Sequence, residues 1–253
     1  MTKPSIYLII GLAVVAVIFS GLYYISKQPK AEQNDHTTTL VNSSYQPVIN
    51  PADFSTTINN RFFTLVPGQK FSYQNSAAGS NERIETEVTN EIKTVMDVAT
   101  VEVRDRAWVD NQLAEDTRDW YAQAKNGDVW YFGEAVDNYE NGKLKNHDGS
   151  WEVGIDGAKP GIVMLANPKV GDRYRQEYYA GIAEDMGDVV ALEQTVRVPS
   201  GTFDHCLQTR DWSVVEKSLN EYKYYCPQVG FVVLEESVKG GEEQVELVNV
   251  TTR

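Results

Sequence analysis

From Arg61 onward the chain is built of short stretches that alternate apolar and polar residues, with turn signals closely spaced between them. Ile84, Val88 and Ile92 alternate with Arg83, Glu85, Glu87, Glu91 and Lys93. That period of two describes a strand with one buried face and one wet face. Comparable β-branched and aromatic stretches cover 98–103, 120–123, 129–132, 174–179, 192–198, 221–226, 231–234 and 245–250. Between them lie Pro67-Gly68, Asn126-Gly127, Asn141-Gly142, Asp148-Gly149, Asp156-Gly157, Pro199-Ser200-Gly201 and Gly240-Gly241. Asn-Gly suits a type I′ hairpin because both central residues need positive φ. One short helix is a candidate over 182–192, but Gly187 interrupts it. The pattern predicts an all-β, antiparallel domain: a strongly curved sheet, an open or closed barrel, or a sandwich.

A different constraint comes from the first residues. The stretch 5–25 (SIYLIIGLAVVAVIFSGLYYI) is uncharged and 21 residues long. As a helix it rises about 31 Å, which matches a hydrocarbon core of about 30 Å. Tyr23 and Tyr24 close it where an interfacial aromatic belt belongs. Its end, Tyr-Tyr-Ile-Ser, is a poor cleavage site, and no Cys follows for lipid attachment. An uncleaved single-pass helix is expected, with a cleaved signal peptide as the alternative. Residues 27–60 are polar, with scattered Pro and no sustained apolar period. The division expected is therefore a membrane anchor over 1–26, a flexible tether over 27–60 and a β domain over 61–253. As a coil, the tether would hold the domain on the order of 30 Å from the membrane.

The formal net charge is −13, and residues 1–60 carry as many acids as lysines, so the excess belongs to the β domain. Such a surface repels phosphate backbones, and nucleic acid is not an expected partner. Charge around the apolar stretch is nearly balanced and does not fix its orientation. The cysteines bear on that question. A hairpin centred near Glu216 pairs Trp212 with Asn220, Arg210 with Tyr222, Gln208 with Tyr224, and Cys206 with Cys226. Opposed Cβ atoms in such a ladder are close enough to bridge. A structural disulfide is expected, and with it an extracytoplasmic, periplasmic or cell-surface location. Two buried thiols are the alternative. A metal site using His205 as well is disfavoured, since neighbours on a strand point to opposite faces.

Chemistry is sparse. The three histidines stand at 36, 147 and 205, far apart in sequence. There is no Gly-x-Ser-x-Gly elbow, no phosphate loop and no zinc spacing. Asp137, Asn141, Gly142 and Asp148 loosely copy a calcium loop, but Tyr139 takes a ligand position and Asn141-Gly142 reads better as a hairpin turn. No metal or cofactor is expected. Asp119, Glu134 and Asp211 stand near aromatic residues, which keeps a carboxylate-dependent hydrolase as an alternative. Trp120, Tyr121, Trp130 and Tyr131 lie on strands paired across Asn126-Gly127, so one aromatic set fills the core. The other set could line a groove for an apolar or sugar ligand. Thr-Arg-Asp-Trp occurs at 117–120 and again at 209–212, either as the trace of a duplicated meander or by chance.

Three further segments carry a resemblance. The stretch 63–68 (FTLVPG) followed by Phe71 and Tyr73, the stretch 198–203 (VPSGTF) before Cys206, and the stretch 224–232 (YYCPQVGFV) occur in this order. Together they resemble a group of exported bacterial β-domain proteins, and 119–123 and 129–134 resemble a subgroup of it. The resemblance covers about 63 to 248. It implies an exported, antiparallel, curved-sheet or barrel-like domain, and it brings no catalytic residues. Many members carry cleaved signals or lipid anchors, from which an uncleaved span departs. The function expected is a non-catalytic binding or scaffolding domain held at the membrane, its partner an envelope protein or a small ligand. The alternatives are a carrier or sensor of a small apolar or sugar ligand, and the hydrolase.

Overall fold

The computed structural model describes residues 45–77, 79–239 and 244–252. The expected membrane helix over 5–25 lies outside the described residues; among those described, no helix is long and apolar enough to cross a membrane. A 3-10 turn over Pro51–Asp53 leads into β1 (Phe54–Ser55), β2 (Ile58–Asn60), β3 (Phe63–Leu65) and β4 (Gln69–Asn75). Long hairpins follow: β5 (Arg83–Val95) with β6 (Val98–Val109), and β7 (Gln112–Ala124) with β8 (Val129–Glu140). Short strands come next: β9 (Lys143–Asn146), β10 (Trp151–Glu152), β11 (Lys159–Met164), β12 (Arg173–Arg175) and β13 (Glu177–Tyr178). The chain ends with β14 (Asp185–Val198), β15 (Gly201–Ser213), β16 (Asn220–Cys226), β17 (Phe231–Ser237) and β18 (Gln244–Thr252).

Sixteen of these strands join one antiparallel sheet, running β12-β14-β15-β16-β17-β18-β4-β5-β6-β7-β8-β11-β13. Its two ends are joined by one segment of chain. β12 pairs with β14, and β13, one residue later, pairs with β11. The bend at Gln176 thus brings the sheet back almost onto itself as a nearly closed barrel, which leaves few strand edges unpaired. The stretch 174–179 expected as one strand is therefore two short ones. The helix considered over 182–192 does not form; β14 starts at Asp185, and Gly187 lies in it against the Tyr174 ring.

Turn chemistry accounts for the register. Asn141 and Gly142 both have positive φ, 52° and 72°, as a type I′ turn requires. Two further turns have the same signature without glycine: Met96-Asp97 (46°, 63°) and Asp110-Asn111 (50°, 62°). Asp and Asn tolerate this region, and the strand pairing on either side holds Met96 there. The expected wet face of β5 holds over its first half, where Lys70 and Arg106 pair with Glu85 and Glu87 outside the sheet. Beyond Val88 the register shifts, and Ile92 stands exposed instead of continuing the buried row.

Part of the barrel interior is filled by aromatic rings. The hairpin β2–β3 sends in Phe63, whose ring lies 5.2 Å from Tyr121 and 4.9 Å from Phe231. Phe231 stacks on Phe71 at 4.6 Å. Burying rings of this size contributes roughly 2 kcal/mol each. The hairpin is fixed by the Thr64 amide, which donates to the Gly230 carbonyl at 2.6 Å. A Cβ at Gly230 would lie 2.8 Å from the Thr64 Cβ, so this close approach needs glycine.

Residues 45–60, assigned to the tether by their composition, are laid against the barrel wall. The Tyr45 hydroxyl donates to the Pro160 carbonyl at 2.7 Å, and β1 pairs with the end of β7. Side-chain bonds that pattern analysis does not see hold this strap: Gln123 Oε1 accepts from the amides of Asn59 and Asn60.

Cys206 and Cys226 form a disulfide with Cα atoms 4.2 Å apart. The register around it is the expected one, with Trp212 opposite Asn220, Arg210 opposite Tyr222 and Gln208 opposite Tyr224. His205 stands exposed beside Glu193 while Cys206 is fully buried, so the two do not converge on one site.

Candidate functional site

Two places in the fold concentrate chemistry, one inside the barrel and one on its outer wall. Inside, alternate residues of successive strands bring carboxyl groups to the inner face. They are Asp105 on β6, Glu115 and Asp119 on β7, Glu134 on β8, Glu177 on β13, Asp185 on β14, Asp211 on β15, Glu221 on β16 and Glu235 on β17. Each is at most 5% exposed. Glu235 and Asp105 lie on strands separated by β18, β4 and β5, yet the Asp105 charge is near enough to act on Glu235.

A bulge decides the composition of this wall. Asp119 lies opposite Glu134, but Tyr121 lies opposite Tyr131, so β8 has one residue more than β7 between the two pairs. Tyr131 and Glu134, three apart, are both buried as a result. Gly133 permits it: its φ is 132°, and a Cβ there would stand 2.5 Å from the Trp151 carbonyl oxygen.

Few cations answer these acids. Lys223 Nζ lies 3.2 Å from Glu221, 3.6 Å from Asp211 and 3.9 Å from Glu235. Neutral donors serve the rest. The Tyr131 hydroxyl donates to Asp119 at 2.6 Å, Trp151 Nε1 to Glu134 at 3.2 Å, Gln176 to Asp211 at 3.1 Å and Thr117 to Glu115 at 3.0 Å. Loss of hydration disfavours the ionised forms, and the crowded like charges add to it. Burial pushes Glu115 and Asp185 up to about 7. It also raises Asp119, Glu134, Glu177, Glu221 and Glu235. Burial alone would lower Lys223, but Glu235, Glu221 and Asp211 more than offset it and keep the ammonium charged. The chamber thus sets acids whose ionisation is disfavoured by burial beside a Lys223 ammonium held charged by its acidic neighbours.

Of the acids considered for hydrolysis, Asp119 and Glu134 are direct cross-strand neighbours, whereas Asp211 lies on β15, which is no neighbour of β7 or β8 in the sheet. All three are 2–3% exposed, so in this conformation a substrate in solution does not reach them. Asp137, Asn141 and Asp148 do not gather: Asn141 is in the β8–β9 turn, Asp137 pairs with His147, and Asp148 bonds Asn146. Among the described residues no group of three or more His, Cys, Asp or Glu is arranged to hold a metal ion. Both copies of Thr-Arg-Asp-Trp present Thr and Asp as buried residues, Thr117 with Asp119 and Thr209 with Asp211.

The four aromatic residues proposed for a groove separate. Tyr121 and Tyr131 are inside, stacked at 4.9 Å. Trp120 is on the outer face but covered, with Lys93 Nζ 3.3 Å from its ring centre. Trp130 lines an open groove of about 380 Å3 between the 45–60 strap and the β7–β8 turn. Phe54 meets the Trp130 ring edge-on at 6.1 Å. Asn50, Asp53, Lys125 and Asn126 supply its polar lining. Asp53 accepts from Lys125 at 2.8 Å and from Asn50 at 3.0 Å, and the Lys125 ammonium holds its carboxyl below the usual range. No periodic pattern in the sequence marks the strap half of this groove. Its nearest signal is Asn50-Pro51-Ala52-Asp53, a capped turn followed by Phe54.

No family model matches the chain, and no curated protein matches it. Among solved structures, it is similar to a protein from Parabacteroides distasonis provisionally described as a lipoprotein. The two are 15% identical with a TM-score of 0.41, over 75% of this chain and 98% of the other.

Proposed function

We propose that the protein is a non-catalytic binding domain outside the cytoplasm, held at the membrane by its first 26 residues, and that it binds through the Trp130 groove. The observation that carries this reading is the contrast between the two sites. The acids that hydrolysis would use are sealed in the barrel, whereas the groove is open and combines an aromatic wall with fixed polar groups. The disulfide supports an oxidising location, since such bonds persist outside the reducing cytosol. The uncharged stretch 5–25 supports the membrane attachment. A hydrolase has less support, because its mechanism needs Asp119 or Glu134 in contact with substrate and water.

The test is fractionation of the full chain expressed in a bacterium. It should sediment with membranes, stay there in high salt, and react with a thiol reagent only after reduction. Deleting residues 1–26 should release it. A chain washed off by salt, with thiols reactive from the outset, would overturn the location. Turnover of a glycoside that Glu134→Gln abolishes would overturn the non-catalytic reading.

A further inference from the structure

We infer that the Trp130 groove is a subsite for a neutral saccharide, an inference that rests on the groove being the binding site. A pyranose has an apolar C–H face and a rim of hydroxyls, and a site for it must offer both chemistries at once. Trp130 supplies the apolar wall, and edge-on contact with Phe54 sets its position. Asn50 and Asn126 supply amides that donate and accept, and the Asp53 carboxylate adds acceptors. These groups are pre-organised: Asn50 and Lys125 both bind Asp53, and Asn126 binds Asp128 at 2.7 Å. Each of these polar groups therefore already has a partner that orients it within the groove.

Other ligand classes fit less well. Lys125 and Asp53 neutralise each other, so an ionic ligand meets no unbalanced countercharge. A purely apolar ligand would strip water from four polar side chains and return no hydrogen bonds. On the β7 side of the groove a peptide strand finds no free amides: β1 already pairs with β7, the Lys125 amide donates to the Asp53 carbonyl, and the Ala124 amide donates to the Asp128 carbonyl. The volume of about 380 Å3 lies within the range of small-molecule sites, about 300–1,000 Å3.

The experiment is calorimetric titration of the full chain in a detergent that carries no sugar headgroup. The probes are maltotriose, triacetylchitotriose, hexanoate and an unstructured tripeptide, each taken to millimolar concentration. At least one saccharide should bind. Trp130→Ala should weaken it about tenfold or more, the usual scale for an aromatic anchor. Lys125→Ala, at an exposed position that leaves folding intact, should weaken it several-fold. Saccharide binding that neither substitution changes overturns the assignment. Hexanoate or tripeptide binding that Trp130→Ala removes, with no saccharide binding, overturns the ligand class and leaves the groove reading standing. Silence from every probe overturns both.

Discussion

Replacing Glu115 with Gln tests whether the barrel interior stores protons. Glu115 is 5% exposed, and its carboxyl accepts one hydrogen bond, from Thr117 at 3.0 Å. Burial raises it from its ordinary 4.5 to about 7. The folded chain therefore holds this proton more tightly than the unfolded chain does. The sign follows from linkage: a group raised on folding contributes stability that is fully present below the unfolded value and lost as pH rises through the folded one. A rise from 4.5 to about 7 corresponds to ~3 kcal/mol at 1.36 kcal/mol per pH unit. Most of that is already lost at neutral pH. Gln has nearly the same shape, accepts from Thr117 and does not ionise. Urea unfolding of the full chain, disulfide intact, should be followed from about pH 4.5 to about pH 8. The difference in stability between variant and wild type should grow in favour of the variant by ~3 kcal/mol over that range. Parallel curves, or a wild type that gains on the variant as pH rises, would refute the reasoning.

Four further variants probe the same architecture. Lys223→Met removes the ammonium that faces Glu221, Asp211 and Glu235, and should cost about 3–5 kcal/mol at neutral pH; urea midpoints should show a smaller cost in acid, where Glu221 and Glu235, both raised by burial, take up protons. Cys206→Ser combined with Cys226→Ser opens a loop with a sequence separation of 20 and should cost roughly 3 kcal/mol, a loss that reductant reproduces in the wild type and does not deepen in the variant. Gly133→Ala forces a Cβ to 2.5 Å from the Trp151 carbonyl oxygen at positive φ and should cost about 1–3 kcal/mol in thermal unfolding. Gly142→Ala, also at positive φ but facing open space, should cost less, about 1 kcal/mol.

The local physics of this chain is legible one strand at a time. Alternation and turn residues predicted antiparallel strands, and the β15–β16 register followed from where a hairpin between Cys206 and Cys226 must be centred. Hairpins are short-range objects, and their register depends on the turn and the residues beside it. Met96-Asp97 and Asp110-Asn111 gave no such signal, because neighbouring strands rather than glycine hold them in the left-handed region. The strap over 45–60 has no such signal either, because it is bound by side chains such as Gln123 and has no periodicity of its own.

The candidate sites were half visible for a related reason. Trp130 was named as a groove residue, but Asn50, Asp53 and Phe54 reach it from a segment more than seventy residues earlier. Asp119, Glu134 and Asp211 stand near aromatics in the sequence, while Asp105, Glu115, Glu177, Asp185, Glu221 and Glu235 carry no sequence mark of their burial. Alternation assigns a residue to one of two faces, and acids are assigned by habit to the wet one. Whether that face meets water depends on how the sheet closes, and here closure depends on the bend at Gln176 between two short strands. Parity itself changes at Gly133, where one inserted residue gives Tyr131 and Glu134 the same burial. The sequence by itself determined strands, hairpins and a covalent tie, because those depend on neighbours along the chain. Only the tertiary structure decided that the acids are walled in and that the strap completes a groove, because burial is a property of surfaces that distant segments bring together.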